Sequence, residues 1–275
     1  MAILTYNGRP LDCGSYLPLF STQSNSWSFL TSGSSVWHDP NGNCCYSNGS
    51  NQKKFNGTTW SNITLNGGVS GVIGSNIWND GTNIYYSSGN NQYKLTWQSS
   101  TVLGGASKTW SGLTSFDGYL VWSDGTSIYY SGGGEGDQYV LNVNKSTWSR
   151  KIWNGIYYLD ASMIWNDGTN YHYSYGTTHY VLDIATSTWS TKTWYGLTSF
   201  DGWNVWKFGN NIFYSSGSNH YVLDKSTSTW SRVYPGVSFS GYDVWHNAGN
   251  TYVNGNYIIV ENTPSENNFI SYETT

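Results

Sequence analysis

Three carboxylates recur at one place in this 275-residue chain. Asp117, Asp160 and Asp201 each stand five residues before a tryptophan: Trp122, Trp165 and Trp206. The position three before such a tryptophan is aromatic at Tyr119, Trp203 and Tyr242. Carboxylates accept hydrogen bonds from sugar hydroxyls and flat rings stack on sugar faces, so the pattern suits a glycan-binding surface. Asp117-Gly118 and Asp201-Gly202 also read simply as turns, and that reading requires no ligand.

The other reactive side chains point to structure. His179 and His220 precede Tyr180 and Tyr221 at matching places, where other copies have Gln92, Gln138 and Asn256. A polar position that recurs at a strand start fits a structural role better than a metal ligand. His38 and His246 each follow a recurring tryptophan. Cys13, Cys44 and Cys45 make neither a disulfide framework nor paired metal-ligand spacing, and they read as small buried thiols. No nucleophile elbow, phosphate loop or identifiable carboxylate pair occurs, so no catalytic residue, metal or cofactor is assigned.

The elements that must position these residues are repeats. A β-branched residue followed by Trp recurs at Val36-Trp37, Ile77-Trp78, Val121-Trp122, Ile164-Trp165, Val205-Trp206 and Val244-Trp245. The tryptophans are spaced by 41, 44, 43, 41 and 39 residues. In the third copy, Tyr119–Trp122 reads as a strand and Ser123–Thr126 as a hairpin turn whose Asp-Gly tolerates positive φ. Ser127–Tyr130, Gln138–Asn142 and Thr147–Lys151 read as three further strands. Four short antiparallel strands at this period are one propeller blade. The expected fold is all-β: a single six-bladed β-propeller with four antiparallel strands per blade, one domain over 1–275. The other periodic tryptophans, Trp148, Trp189 and Trp230 on the fourth strand and Trp110, Trp153 and Trp194 after it, are expected between blades. The sixth copy lacks its own fourth strand. Residues 2–6 are expected to complete it, with 268–272, inside a C-terminal tail at 261–275, as the competing candidate.

Composition narrows the function. Charged residues are 10% and aromatics 18%, with 16 Trp and 24 Tyr. Aromatic content on this scale can bury enough apolar surface to fold a Gly- and Ser-rich chain. Net charge is −4, and the 12 Lys and Arg form no patch, which argues against nucleic-acid binding. No apolar run reaches transmembrane length. Residues 1–10 lack the basic stretch and apolar core of a secretory signal, so export by that route is not expected.

The run Ile128-Tyr129-Tyr130-Ser131-Gly132-Gly133, then Tyr180-Val181-Leu182-Asp183 and Thr188-Trp189, resembles the kelch repeat over roughly residues 27 to 260. Only the third copy has the paired glycine; copies two and five have Ser-Ser-Gly. The style is similar to kelch-like repeats of bacteriophage and gut-bacterial surface proteins. The resemblance implies a virion or extracellular surface location without a secretory signal, with a cytoplasmic location as the alternative. Some kelch-type propellers are copper oxidases, but the Tyr, two His and cross-linked Cys they need are not recognisable here. Sialidases need an arginine cluster, whereas Arg9, Arg150 and Arg232 are scattered. The expected function is non-enzymatic recognition or scaffolding: a propeller binding host glycan or protein, with tentative ligand residues Asp117, Tyr119, Asp160, Asp201, Trp203 and Tyr242. The alternatives are a structural virion component with protein–protein contacts only, and a glycan-active enzyme.

Overall fold

Short runs of Tyr, Val, Ile and Trp, broken by Asp-Gly and Ser-Gly turns, fold into twisted antiparallel sheets. The computed structural model describes residues 33–253 except 135, 234–237 and 248–249. It also describes Trp27, Phe29 and Leu30 and the strand backbones at 5–6, 9–10, 19–24 and 256–261. The chain is an all-β propeller.

The fourth repeat shows the unit plainly: Ile164–Asn166, Tyr171–Tyr175, Thr178–Asp183 and Thr188–Thr191, hydrogen-bonded in that order. Blade number departs from the expectation. Five blades, not six, are built with four strands drawn from a single repeat, the first through the fifth. Among the described residues the sixth repeat supplies three strands, Val244–Asn247, Asn250–Val253 and Asn256–Glu261. Its third strand pairs with Leu19–Ser24, from Asn256 opposite Ser24 to Glu261 opposite Leu19. An N-terminal segment therefore covers that edge, but not residues 2–6. Thr5–Tyr6 pairs instead with Arg9–Pro10 in a two-stranded hairpin. Residues 2–4 and 268–272 lie outside the described residues.

The second repeat, where Val102 stands in place of the expected Trp, has a longer third strand, Asn91–Ser99. Trp97 on that strand donates its Nε1 hydrogen to Asp39 Oδ2 of the first repeat at 2.8 Å. Thr64–Asn66 adds a fifth strand, parallel to Val102–Ser107.

The tryptophans pack between blades as expected. One buried cluster joins Trp78, Tyr85, Trp110, Phe116, Ile128, Leu141 and Trp148, from the second and third repeats. Equivalent clusters bridge each further neighbouring pair, including the sixth and first, where Trp245 and Tyr252 meet Leu30, Tyr46 and Phe55. Burying such rings supplies the main stabilising term, since one sheet cannot cover both its own faces. Each first-strand Trp through the fifth repeat also has a polar anchor. Its Nε1 hydrogen goes to the hydroxyl of a serine on the second strand (Ser47, Ser87, Ser131, Ser174 and Ser215) at 2.9 to 3.0 Å. At the rim, Lys108, Lys151 and Lys192 lie over Trp110, Trp153 and Trp194 and donate to Ser146, Ser187 and Ser228 in the next turn.

Candidate functional site

Each first strand is entered through one turn of 3-10 helix. The six turns are Gly33–Ser35, Gly74–Asn76, Gly118–Leu120, Ala161–Met163, Gly202–Asn204 and Gly241–Asp243. This corrects the reading of Tyr119–Trp122 as one strand, which starts only at Val121. The turns touch one another in sequence, and the last touches the first, making a closed cycle. Contact is tight: a Cβ on Gly118 would lie 2.0 Å from the carbonyl oxygen of Asn76 in the preceding turn. Glycine, or at one place Ala161, is therefore the residue this ring admits.

The middle residue of each turn is half-buried or exposed. In order around the cycle these are Ser34, Ser75, Tyr119, Ser162, Trp203 and Tyr242. The three aromatics are 49%, 49% and 44% exposed, large values for such side chains. Trp203 and Tyr242 are neighbours and stack with ring centroids 5.9 Å apart and planes 28° from parallel. The Asn204 amide, oriented to satisfy both neighbours, donates to the Ser215 carbonyl and accepts the Trp203 Nε1 hydrogen at 3.0 Å. That bond orients the indole. Tyr119 stands apart, with the Ser162 turn between it and Trp203. Its hydroxyl pKa is raised, first by burial and then by the charges of Asp117 and Asp160.

The carboxylates hold the frame. Asp117 Oδ1 accepts the backbone N–H of Gly89 at 3.0 Å, and Asp201 Oδ1 accepts that of Gly176 at 2.9 Å. Each ties its turn to the second-to-third-strand loop of the preceding blade. Asp160 Oδ1 caps its own turn, accepting from the backbone N–H of Ser162 at 2.9 Å and its hydroxyl at 2.7 Å. Of the six expected ligand residues, the structure brings Trp203 and Tyr242 together and places Asp160 beside Tyr119. It does not gather the three carboxylates into one pocket.

The histidines divide the same way. His179 Nε2 lies 3.0 Å from the Thr198 carbonyl, and Gln92 and Gln138 reach the matching connections through Phe116 and Leu159 carbonyls. The recurring polar position is a bridge between blades. His38 and His246 are adjacent, as their places in the first and sixth repeats suggest. Burial lowers the pKa of both, His246 further through the charge of His38. Among the described residues no three His, Cys, Asp or Glu side chains come together as metal ligands.

Sequence reasoning missed three further exposed side chains, Ile152, Tyr157 and Tyr158, at 69%, 77% and 51% exposure. Departure from the repeat was the available signal. Tyr157-Tyr158 stands where the neighbouring connections have Thr114-Ser115 and Thr198-Ser199.

No family model matches this chain, and no curated protein matches it. Among described residues no helix is long and apolar enough to cross a membrane. The chain is similar in fold to YCF48 in its structure bound to D1 peptide, with a TM-score of 0.50 and 10% identity, over 90% of this chain and 97% of that one. It is also similar to extracellular domains of two Bacteroides thetaiotaomicron proteins. One is the putative one component system BT4673, with a TM-score of 0.49, 7% identity and 84% of this chain covered. The other is the putative hybrid two component system BT3049, at 0.40, 13% and 81%. The chain spans 41% and 39% of those two domains. At these identities the likeness is one of fold: this chain is a β-propeller.

Proposed function

We propose that this propeller is a non-enzymatic recognition module whose ligand, a host-surface glycan, stacks on Trp203 and Tyr242. The observation that carries the reading is the exposed, oriented aromatic pair on a ring whose equivalent places in three other repeats hold serine. An indole exposed to this degree and held by a hydrogen bond is a preformed stacking surface. A glycan-active enzyme is the weaker reading, because Asp117, Asp160 and Asp201 already accept structural hydrogen bonds. The kelch-like repeat style supports a virion or cell-surface setting in a bacteriophage or its relatives.

The test is a glycan array probed with the protein and with Trp203→Ser/Tyr242→Ser, which installs the residue type found at Ser34, Ser75 and Ser162. Glycan signals lost in the variant, with unchanged melting, are the expected result. Signals equal in both proteins overturn the assignment. Absence of any glycan signal, with stable incorporation into a purified particle, favours a structural component with protein contacts only.

A further inference from the structure

The connection between the third and fourth blades breaks the repeat at four places at once. Where its neighbours have Thr109 and Thr193, Thr114 and Thr198, Ser115 and Ser199, and Phe116 and Phe200, it has Ile152, Tyr157, Tyr158 and Leu159. The first three changes replace small polar residues with large apolar ones that stay in water, which a monomer has no folding reason to do. The fourth replaces a buried ring with a smaller side chain. At that place lies a notch of about 50 Å³ lined by Gln138, Arg150, Trp153, Ile156, Tyr157 and Leu159. Gln138 is 3% exposed and gives its amide hydrogens to carbonyls, while its Oε1 has no partner among the described residues. Arg150 is exposed at the mouth. The one ion pair among the described residues is Asp167–His172, so Arg150 faces the notch with its charge uncompensated on an acidic protein.

We infer that this blade junction is a docking site for an extended segment of a partner protein that carries a carboxylate beside an aliphatic side chain. The aliphatic group enters the notch against Leu159, Ile156 and Ile152, Tyr157 closes over it, and the carboxylate meets the Arg150 guanidinium. Such a fork recognises a carboxylate in bidentate fashion, and an exposed tyrosine supplies contact area at small entropy cost. Ile152, Ile156 and Leu159 in the lining suit an aliphatic side chain, which a peptide carries and a sugar does not. The site is separate from the Trp203–Tyr242 pair and does not depend on it.

The experiment titrates isotope-labelled protein with an acetylated, amidated hexapeptide of alternating Glu and Leu and follows amide shifts by NMR. The control probes are the Gln-Leu analogue and a uronic-acid oligosaccharide. Saturable shifts at Ile152, Tyr157 and Tyr158 support the site. Affinity should fall by roughly tenfold in Tyr157→Thr and several-fold in Arg150→Gln, as for an aromatic anchor and a rim charge. Tyr157→Thr installs a residue the neighbouring repeats already use, so the fold is kept; Trp203→Ser should leave this binding unchanged. The inference is overturned if no saturable shift appears at millimolar peptide or the shifts map elsewhere. It is equally overturned if the Gln-Leu probe binds as well or the oligosaccharide takes the site instead.

Discussion

Asp167 Oδ2 lies 2.9 Å from His172 Nε2, and both side chains are buried. The pair is the fourth repeat's version of a clasp made elsewhere by Tyr85 on Asp80 and Tyr129 on Asp124, each at 2.9 Å. Burial alone would raise the Asp167 pKa. The hydrogen bonds from His172 and from the Asn170 and Thr169 N–H groups, with the imidazole's charge, outweigh it and hold the carboxyl far below its ordinary range. A carboxyl depressed in the folded state contributes stability that is complete above its unfolded value and is lost as pH falls through the folded one. We therefore expect Asp167→Asn to be destabilising at neutral pH. Its deficit should shrink as pH drops below about 4, the unfolded carboxyl range. Denaturant melts of both proteins across that window measure it; a deficit independent of pH would refute the clasp's ionic character.

Trp165 is 6% exposed and its indole donates to the Ser174 hydroxyl at 3.0 Å. Trp165→Ala should cost about 3–5 kcal/mol, as for other large core truncations. Ser174→Ala removes only the acceptor and should cost about 1–3 kcal/mol, the penalty of an orphaned buried donor. Urea unfolding gives both values, and an equal cost for the two would show that the serine, not the ring, sets the stability here.

Among the described residues, deletion of residues 1–10 removes Thr5–Tyr6 and Arg9–Pro10, which pair with each other. Deletion of residues 1–24 also removes the strand that covers Asn256–Glu261 and exposes a sheet edge. The shorter deletion should leave the melting temperature unchanged; the longer should lower it and produce concentration-dependent association in ultracentrifugation. Monomeric, equally stable protein after the longer deletion would mean that the edge is protected elsewhere.

Cys44 and Cys45 are 1% and 0% exposed, and burial pushes the Cys44 thiol up to about 12 and raises Cys45 further. Neither should react with a disulfide reagent in native buffer at neutral pH, and both should react on unfolding, because the thiolate is the nucleophile. Alkylation followed by peptide mass mapping distinguishes them from Cys13. Modification of either residue in folded protein would contradict the burial.

The propeller was legible because its Trp period is long-range and redundant, and a blade needs that ring at each interface. The polar role of His179 was legible for the same reason, since Gln92 and Gln138 share its place. The 3-10 turn at Gly118–Leu120 was not, because Tyr119-Leu120-Val121-Trp122 alternates like a strand while the constraint that bends it is the carbonyl of Asn76 from another repeat. Asp117 and Asp201 looked like ligand acceptors because their partners, the N–H groups of Gly89 and Gly176, belong to other blades. Residues 2–6 and 19–24 are both apolar enough for an edge strand, and only the pairing register selects the second.

The pairing of Leu19–Ser24 with Asn256–Glu261 also sets a timetable. During synthesis the early strand leaves the ribosome with no partner, and it must wait until more than two hundred further residues have been translated. Intervening blades can form as they emerge, each from local hairpins, but the final one cannot. The last step of folding is thus a search between distant parts of the chain, the slow kind of contact. Until it is complete, two open sheet edges are available to another nascent copy. Expression at lower temperature or slower rate should therefore raise the yield of monomer more than a stabilising change inside any one blade.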